Sequence, residues 1–185
     1  MTKKQRADAV ANREHVLEVA RKVFATDGLG VPIDEIAKRS GVGIGTVYRH
    51  FPTKQALIVA IMTAHTTQLA DRAAELADAD DPEAAFFELL DLVVQMVSKK
   101  KDLGDALAGV DIVAITAKPR LALRAAFQKL LGRAQKAGAI RPELEIDDVL
   151  ALVTSCAPSP LRPTGSPTRL LEVIRDGLRV PKRRA

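Results

Sequence analysis

Apolar residues recur at helical spacing along almost the whole chain, and no stretch sustains the two-residue alternation of a half-buried strand, so the pattern predicts an all-α fold. Val16, Val19, Ala20, Val23 and Phe24 mark one side of a first helix from about Asn12 to Thr26, with Gly28 just beyond its end. Ile33, Ile36 and Ala37 form the apolar side of a short second helix that follows Pro32. Gly41, Val42 and Gly43 then separate it from a third short helix, Ile44 to His50, which Pro52 closes. A long fourth helix starts at Thr53 or Lys54 and runs to about Ala77, packing through Leu57, Ile58, Ile61, Met62, Leu69, Ala73 and Leu76.

Asp81 and Pro82 supply a cap and a first-turn proline for a helix that runs towards Lys99. Leu103 to Thr116 reads as one bent helix or two short pieces. Lys118 and Pro119 introduce another helix, closed by Gly138, and two more are expected at Ile146 to Cys156 and Pro167 to Leu178. Between these two, Pro158, Pro160, Pro163 and Gly165 exclude regular helix. The predicted organisation is a three-helix domain over 1–52, a helical domain over 53–180 entered by the long fourth helix, and a basic tail over 181–185.

Composition narrows the class. The chain has 185 residues, 47% of them hydrophobic and 28% charged, and charges interrupt every apolar stretch well short of the roughly 18 residues a membrane span needs. The basic start leads into an amphipathic segment and not the apolar centre of a signal peptide, and Cys156 is the only cysteine. A reducing, cytoplasmic setting without a membrane partner is therefore expected. The net charge of +5 is unevenly spread: residues 1–56 hold ten Lys and Arg against six acidic residues, and residues 57–117 hold four against eleven. A basic first module can face phosphates that an acidic middle would repel.

Residues 33–54, IDEIAKRSGVGIGTVYRHFPTK, carry the chemistry. Two short helices joined through Gly41, with Ile36, Ala37, Val42 and Val47 packed against Phe24, make a helix-turn-helix whose second helix can enter a major groove. Ile44 and Thr46 then suit base edges, Ile44 through contact with a thymine methyl. Tyr48 and Lys54 suit phosphates, and Arg49 and His50 either hold the backbone or reach a base. Tyr48 packed at a domain seam and His50 at a helix end are the competing structural roles, and Phe51 belongs to the core.

Residues 13–58 resemble the N-terminal domain of the tetracycline-repressor (TetR) family. The likeness rests on Phe24 and Gly28, Ile36-Ala37, Ser40-Gly41-Val42, the run Gly45 to Phe51, and Lys54 with Leu57. It implies a DNA-binding domain of three helices, a connecting fourth helix and a C-terminal helical bundle for effector binding and dimerisation. Carried onto this chain, the family's DNA contacts fall on Thr46, Tyr48, Arg49, His50 and Lys54, with Arg39 as a contributor. Gly43 stands where members often have Ser or Thr, so a capping hydroxyl and its phosphate contact are missing.

Residues 130–150 resemble a C-terminal subgroup of the same family. An effector cavity in the second module would be lined by Met62, His65, Phe86, Phe87, Leu90, Met96, Val110 and Phe127, a set that suits a small hydrophobic or amphipathic molecule, and the same residues can equally be ordinary core. Val149, Leu150, Leu152, Val153, Leu170, Leu171, Val173, Ile174 and Leu178 either complete a subunit core or, as the resemblance implies, pair across a two-fold axis in a homodimer. His15, His50 and His65 lack metal-site spacing, Asp147 and Asp148 suit a helix start, and no cofactor or catalytic set is expected. The whole reads as a dimeric repressor of a pseudo-palindromic double-stranded operator, released by an effector. The alternative is a constitutive regulator without a ligand.

Overall fold

A computed structural model describes residues 3–98, 111–156 and 167–181. Among these the chain forms α1 (Lys3–Asp27), α2 (Ile33–Ser40), α3 (Ile44–His50), α4 (Lys54–Leu76), α5 (Pro82–Ser98), α6 (Ile112–Ile115), α7 (Ala117–Lys136), α8 (Ile146–Ser155) and α9 (Pro167–Leu178). The fold is all-α, as the periodicity predicts. The expected proline-rich loop, the basic residues 182–184 and Val110 lie outside the described residues. The first helix starts at Lys3, ahead of the Asn12 expected from its apolar positions, because the polar, alanine-containing stretch before Val16 has good helix propensity.

Side-chain caps explain several of the starts. Thr53 Oγ1 accepts from the Ala56 amide at 3.0 Å before α4, Asp81 Oδ1 from Ala84 at 3.0 Å before α5, and Asp111 Oδ1 from Ala114 at 2.9 Å before α6. At α8 the Asp148 carboxylate reaches back to the Glu145 amide at 2.9 Å, and Asp147 pairs with Arg124. The adjacent acids thus serve a helix start. Pro119 falls in the first turn of α7, where its missing N–H costs no hydrogen bond.

The described residues divide into two compact units, and the division falls inside α4 between His65 and Thr66. A proline marks where one helix stops, and α4 simply contributes to both units. In the first unit Val16, Ala20 and Val23 of α1 enclose Ile33, Ile36 and Ala37 of α2, together with Val47, Phe51 and Leu57. Each of the Val, Ile, Leu and Phe side chains among them contributes about 1.5–3 kcal/mol on leaving water, which is what holds α3 in place.

In the second unit α5 is the central element. Phe86, Leu89, Leu90 and Val93 pack with Phe127, Leu130 and Ala134 of α7, Val149 and Val153 of α8, and Ile174 and Leu178 of α9. Arg133 ties α7 to the end of α4, donating to the Ala77 and Ala79 carbonyls at 2.7 and 2.6 Å. After Gly138, whose φ is 73°, an isolated antiparallel bridge pairs Ile140 with Arg179 and joins the end of α7 to the end of α9. Nothing in the sequence pattern signals that bridge.

Candidate nucleic-acid interface

The turn between α2 and α3 depends on Gly41, which sits at φ 65° and donates to the Lys38 carbonyl at 3.2 Å. A left-handed residue at this point is favoured by glycine, because a Cβ would crowd the next carbonyl. Ser40 adds a second brace, its hydroxyl donating to Ala37 O at 2.9 Å and accepting from the Val42 amide at 3.4 Å. From α1, His15 Nε2 lies 3.0 Å from the Ser40 carbonyl; a carbonyl only accepts, so the ring nitrogen is the donor. The turn is therefore held from both sides. Gly43 opens α3 without any side-chain cap bond, consistent with its missing hydroxyl.

Residues of α3 advance by about 100° each, which puts Gly45 and Arg49 opposite Val47 with Thr46 and Tyr48 on the flanks. Val47 is fully buried and is the one residue of α3 inside the core. Ile44 and Tyr48 are 49% and 42% exposed, Arg49 is exposed, and Thr46 and His50 are half-buried. Arg49 Nη2 stands 3.4 Å from Thr46 Oγ1, so two polar candidates share one side of the helix. Lys54, half-buried, places its ammonium 6.0 Å from the Phe24 ring centre.

Several candidates have partners that sequence alone did not reveal. Tyr48 donates its hydroxyl to Asp34 Oδ1 at 2.8 Å, which raises the phenol above its ordinary value. Arg39 donates through Nε to Glu35 at 2.8 Å and through Nη1 to Asp27. Its guanidinium holds both carboxyls below their usual range. His50 turns Nε2 inward, where that atom is buried without a hydrogen-bond partner, so this nitrogen is not the one offered outward. Phe51 is core, 1% exposed, with the Arg13 guanidinium 5.4 Å from its ring centre. Helical spacing gives the face of each helix but not which residue of α2 meets which residue of α3.

The second-module candidates separate by burial. Phe86, Leu90 and Phe127 have no exposed surface, and Phe86 packs against Phe127 and Phe87 at ring separations of 5.3 and 5.4 Å. They occupy the core. His65 is exposed and Met62 half-buried, both on α4. Met96 is half-buried against the second core. Phe87 faces an open cleft of about 460 Å³ whose other walls include Glu83, Glu88, Asp91, Arg175 and Arg179. Both guanidiniums lie over its ring, at 5.3 and 4.4 Å. Burial pushes the Asp91 carboxyl up against the opposing pull of Arg175, its partner at 2.8 Å.

Of the dimerisation candidates, Val149, Val153, Ile174 and Leu178 lie inside the unit's own core. Leu150, Leu170 and Leu171 are half-buried beside it. Leu152 and Val173 are 37% and 64% exposed. Periodicity alone had not separated the inner from the outer face of α8 and α9. Among the described residues no three His, Cys, Asp or Glu side chains gather as a metal site requires, and no helix is long and apolar enough to cross a membrane.

Two short helices about a left-handed glycine, the second anchored by one buried apolar residue with Ile44, Tyr48 and Arg49 outside, define the first unit as a helix-turn-helix DNA-binding domain. Residues 16–61 match the family described as bacterial regulatory proteins, tetR family, and residues 81–180 match the C-terminal domain of SbtR-like transcriptional regulators. The chain belongs to the tetracycline-repressor family of transcriptional regulators.

Solved structures agree along the length of the chain. It is 42% identical to a TetR transcription regulatory protein from Mycobacterium vanbaalenii, covering 95% of this chain and 99% of that one with a TM-score of 0.76. It is 30% identical to a TetR regulator from Streptomyces coelicolor, covering 90% and 98% with a TM-score of 0.71. An HTH-type transcriptional regulator of Staphylococcus aureus is 43% identical over 53 residues, a match that spans 28% of this chain and 29% of that relative. All three of these relatives are described as transcriptional regulators.

Proposed function

We propose that the chain acts as a homodimeric repressor that occupies a pseudo-palindromic operator and leaves it when a small hydrophobic or amphipathic effector binds. The observation that carries this reading is the one-sided build of α3, with Val47 fully buried and Ile44, Tyr48 and Arg49 outside. In this reading Ile44 and Thr46 touch base edges, Tyr48, Lys54 and Arg39 hold phosphates, and Arg49 and His50 fix orientation or read a base. Repression follows from occupying the operator in competition with transcription machinery.

Exposed Leu152 and Val173 supply the apolar part of the dimer contact, and two copies related by a two-fold axis present two α3 helices to successive major grooves. The effector acts by favouring a conformation in which those helices no longer match the half-site spacing. One observation favours the alternative of a constitutive regulator: the fully buried Phe86 and Phe127 rings pack directly on each other.

Selection from a random duplex pool, repeated with metabolite extract, tests the proposal. One palindromic motif lost on adding extract supports it, and the same motif retained under every extract favours the constitutive reading. Recovery of no motif by the folded protein overturns both. Sedimentation of Leu152→Arg and Val173→Arg variants reads the dimer directly.

A further inference from the structure

The chain has a single tyrosine and no tryptophan, and that tyrosine has already committed its hydroxyl proton. Tyr48 on α3 stands 2.8 Å from Asp34 Oδ1 on α2. A carboxylate offers only lone pairs, so the phenol is the donor in this bond. A phosphodiester oxygen also offers only lone pairs. One hydroxyl proton cannot be directed fully at both, and two anions brought to one phenol repel each other.

We infer that Asp34 is a positioning residue that stands in for a DNA phosphate in the unbound protein, withholding Tyr48 so that operator binding must exchange carboxylate for phosphate. The inference rests on the reading of α3 as the DNA-facing helix. It adds that an acidic residue which touches no DNA sets affinity through the residue that does. The raised phenol fits, since a carboxylate acceptor favours the protonated hydroxyl.

Arg39, five residues further along α2, shows the same arrangement. Its Nε and Nη1 are held by Glu35 and Asp27, so its charge is balanced inside the protein before any phosphate arrives. Three carboxylates, Asp27, Asp34 and Glu35, thus hold two groups of the reading head. Asp34 is the sharper case, because the phenol has one proton where the guanidinium has five.

Two measurements test the inference. The first needs no DNA: tyrosinate absorbance followed against pH reports Tyr48 alone. Asp34→Ala is expected to move the ionisation down towards the ordinary phenol value of 10.0. No movement would overturn the bond on which everything here depends.

The second is a double-mutant cycle on the selected operator, with Asp34→Ala, Tyr48→Phe and the pair. Releasing the hydroxyl is expected to tighten binding about threefold per half-site when Tyr48 is present, in line with the net worth of one hydrogen bond. In the Tyr48→Phe background the same change should give at most the small gain of removing one negative charge. An equal factor in both backgrounds, or weaker binding with Tyr48 present, overturns the inference. Asp34→Ala also truncates a polar side chain in the first turn of α2, so Asp34→Asn provides the second variant. It keeps the side-chain shape and should show a smaller gain of the same sign. If the unaltered chain binds no duplex, the DNA-facing reading itself fails, a result distinct from a null cycle.

Discussion

Arg133 donates from Nη1 to the Ala77 carbonyl at 2.7 Å, closing from α7 the end of a helix that α7 never touches in sequence. A second bond to Ala79 at 2.6 Å uses the other arm of the same guanidinium. Carbonyls at a helix end have no partner within the helix, and Arg133 supplies one in fixed geometry. Arg133→Ala should therefore destabilise the second unit by about 1–3 kcal/mol, the cost of leaving part-buried carbonyls unpaired. Arg133→Lys, whose ammonium cannot span both oxygens, should recover only part of it. Thermal unfolding of the three proteins checks the order.

Two glycines in one turn should respond in opposite ways. Gly41 sits at φ 65°, and Gly41→Ala should cost about 1–2 kcal/mol and weaken DNA binding through misplacement of α3. Gly43 opens α3 at φ −54° with no atom within 4 Å of an added Cβ. Gly43→Ser should stabilise by a few tenths of a kcal/mol and tighten DNA binding. Urea unfolding and operator titration of both variants read the two signs.

The Arg39 pairs make an acid-dependent prediction. Glu35 and Asp27 lie below their ordinary values of 4.5 and 3.8, because Arg39 bonds to both. Depressed carboxyls stabilise the fold above their ordinary values, and that contribution is lost as pH falls through the folded values, where the unfolded chain has bound more protons. Arg39→Ala should thus flatten the fall in stability below about pH 4.5. Since Arg39 and Asp27 are exposed and Glu35 only half-buried, the change in slope should be small. Urea midpoints taken down to about pH 3 would show it, and parallel acid limbs would rule it out.

On DNA, Arg49 and Lys54 should separate by kind of contact. Arg49 lies opposite the anchoring Val47, so Arg49→Ala should change which operator bases are preferred. Lys54→Ala should weaken all sites alike and lower the salt slope by about 1. Binding of both variants to single-base operator variants at two salt concentrations distinguishes them. The same salt response from both would argue that each meets only phosphate.

The first unit was the more legible in sequence, for a physical reason. Gly41, Gly43 and Pro52 are local punctuation, and they fix α3 to Ile44–His50, as observed. Val47 and Phe51 were likewise assigned inside from spacing alone. What escaped was tertiary register: Asp34 with Tyr48 and Asp27 with Arg39 are joined across helices whose mutual rotation no periodicity encodes. The second module was less readable because every helix there is apolar over a broad arc. Val149 and Leu152 are both aliphatic residues of α8, yet one is buried and the other 37% exposed.

Of the seven residues of α3, only Val47 is buried. A helix tethered by so little can exchange most of its other side chains without unfolding its domain. Operator preference in such a chain is therefore free to drift by single substitutions, each tolerated by the scaffold, and related regulators can part ways in the genes they govern long before their folds diverge.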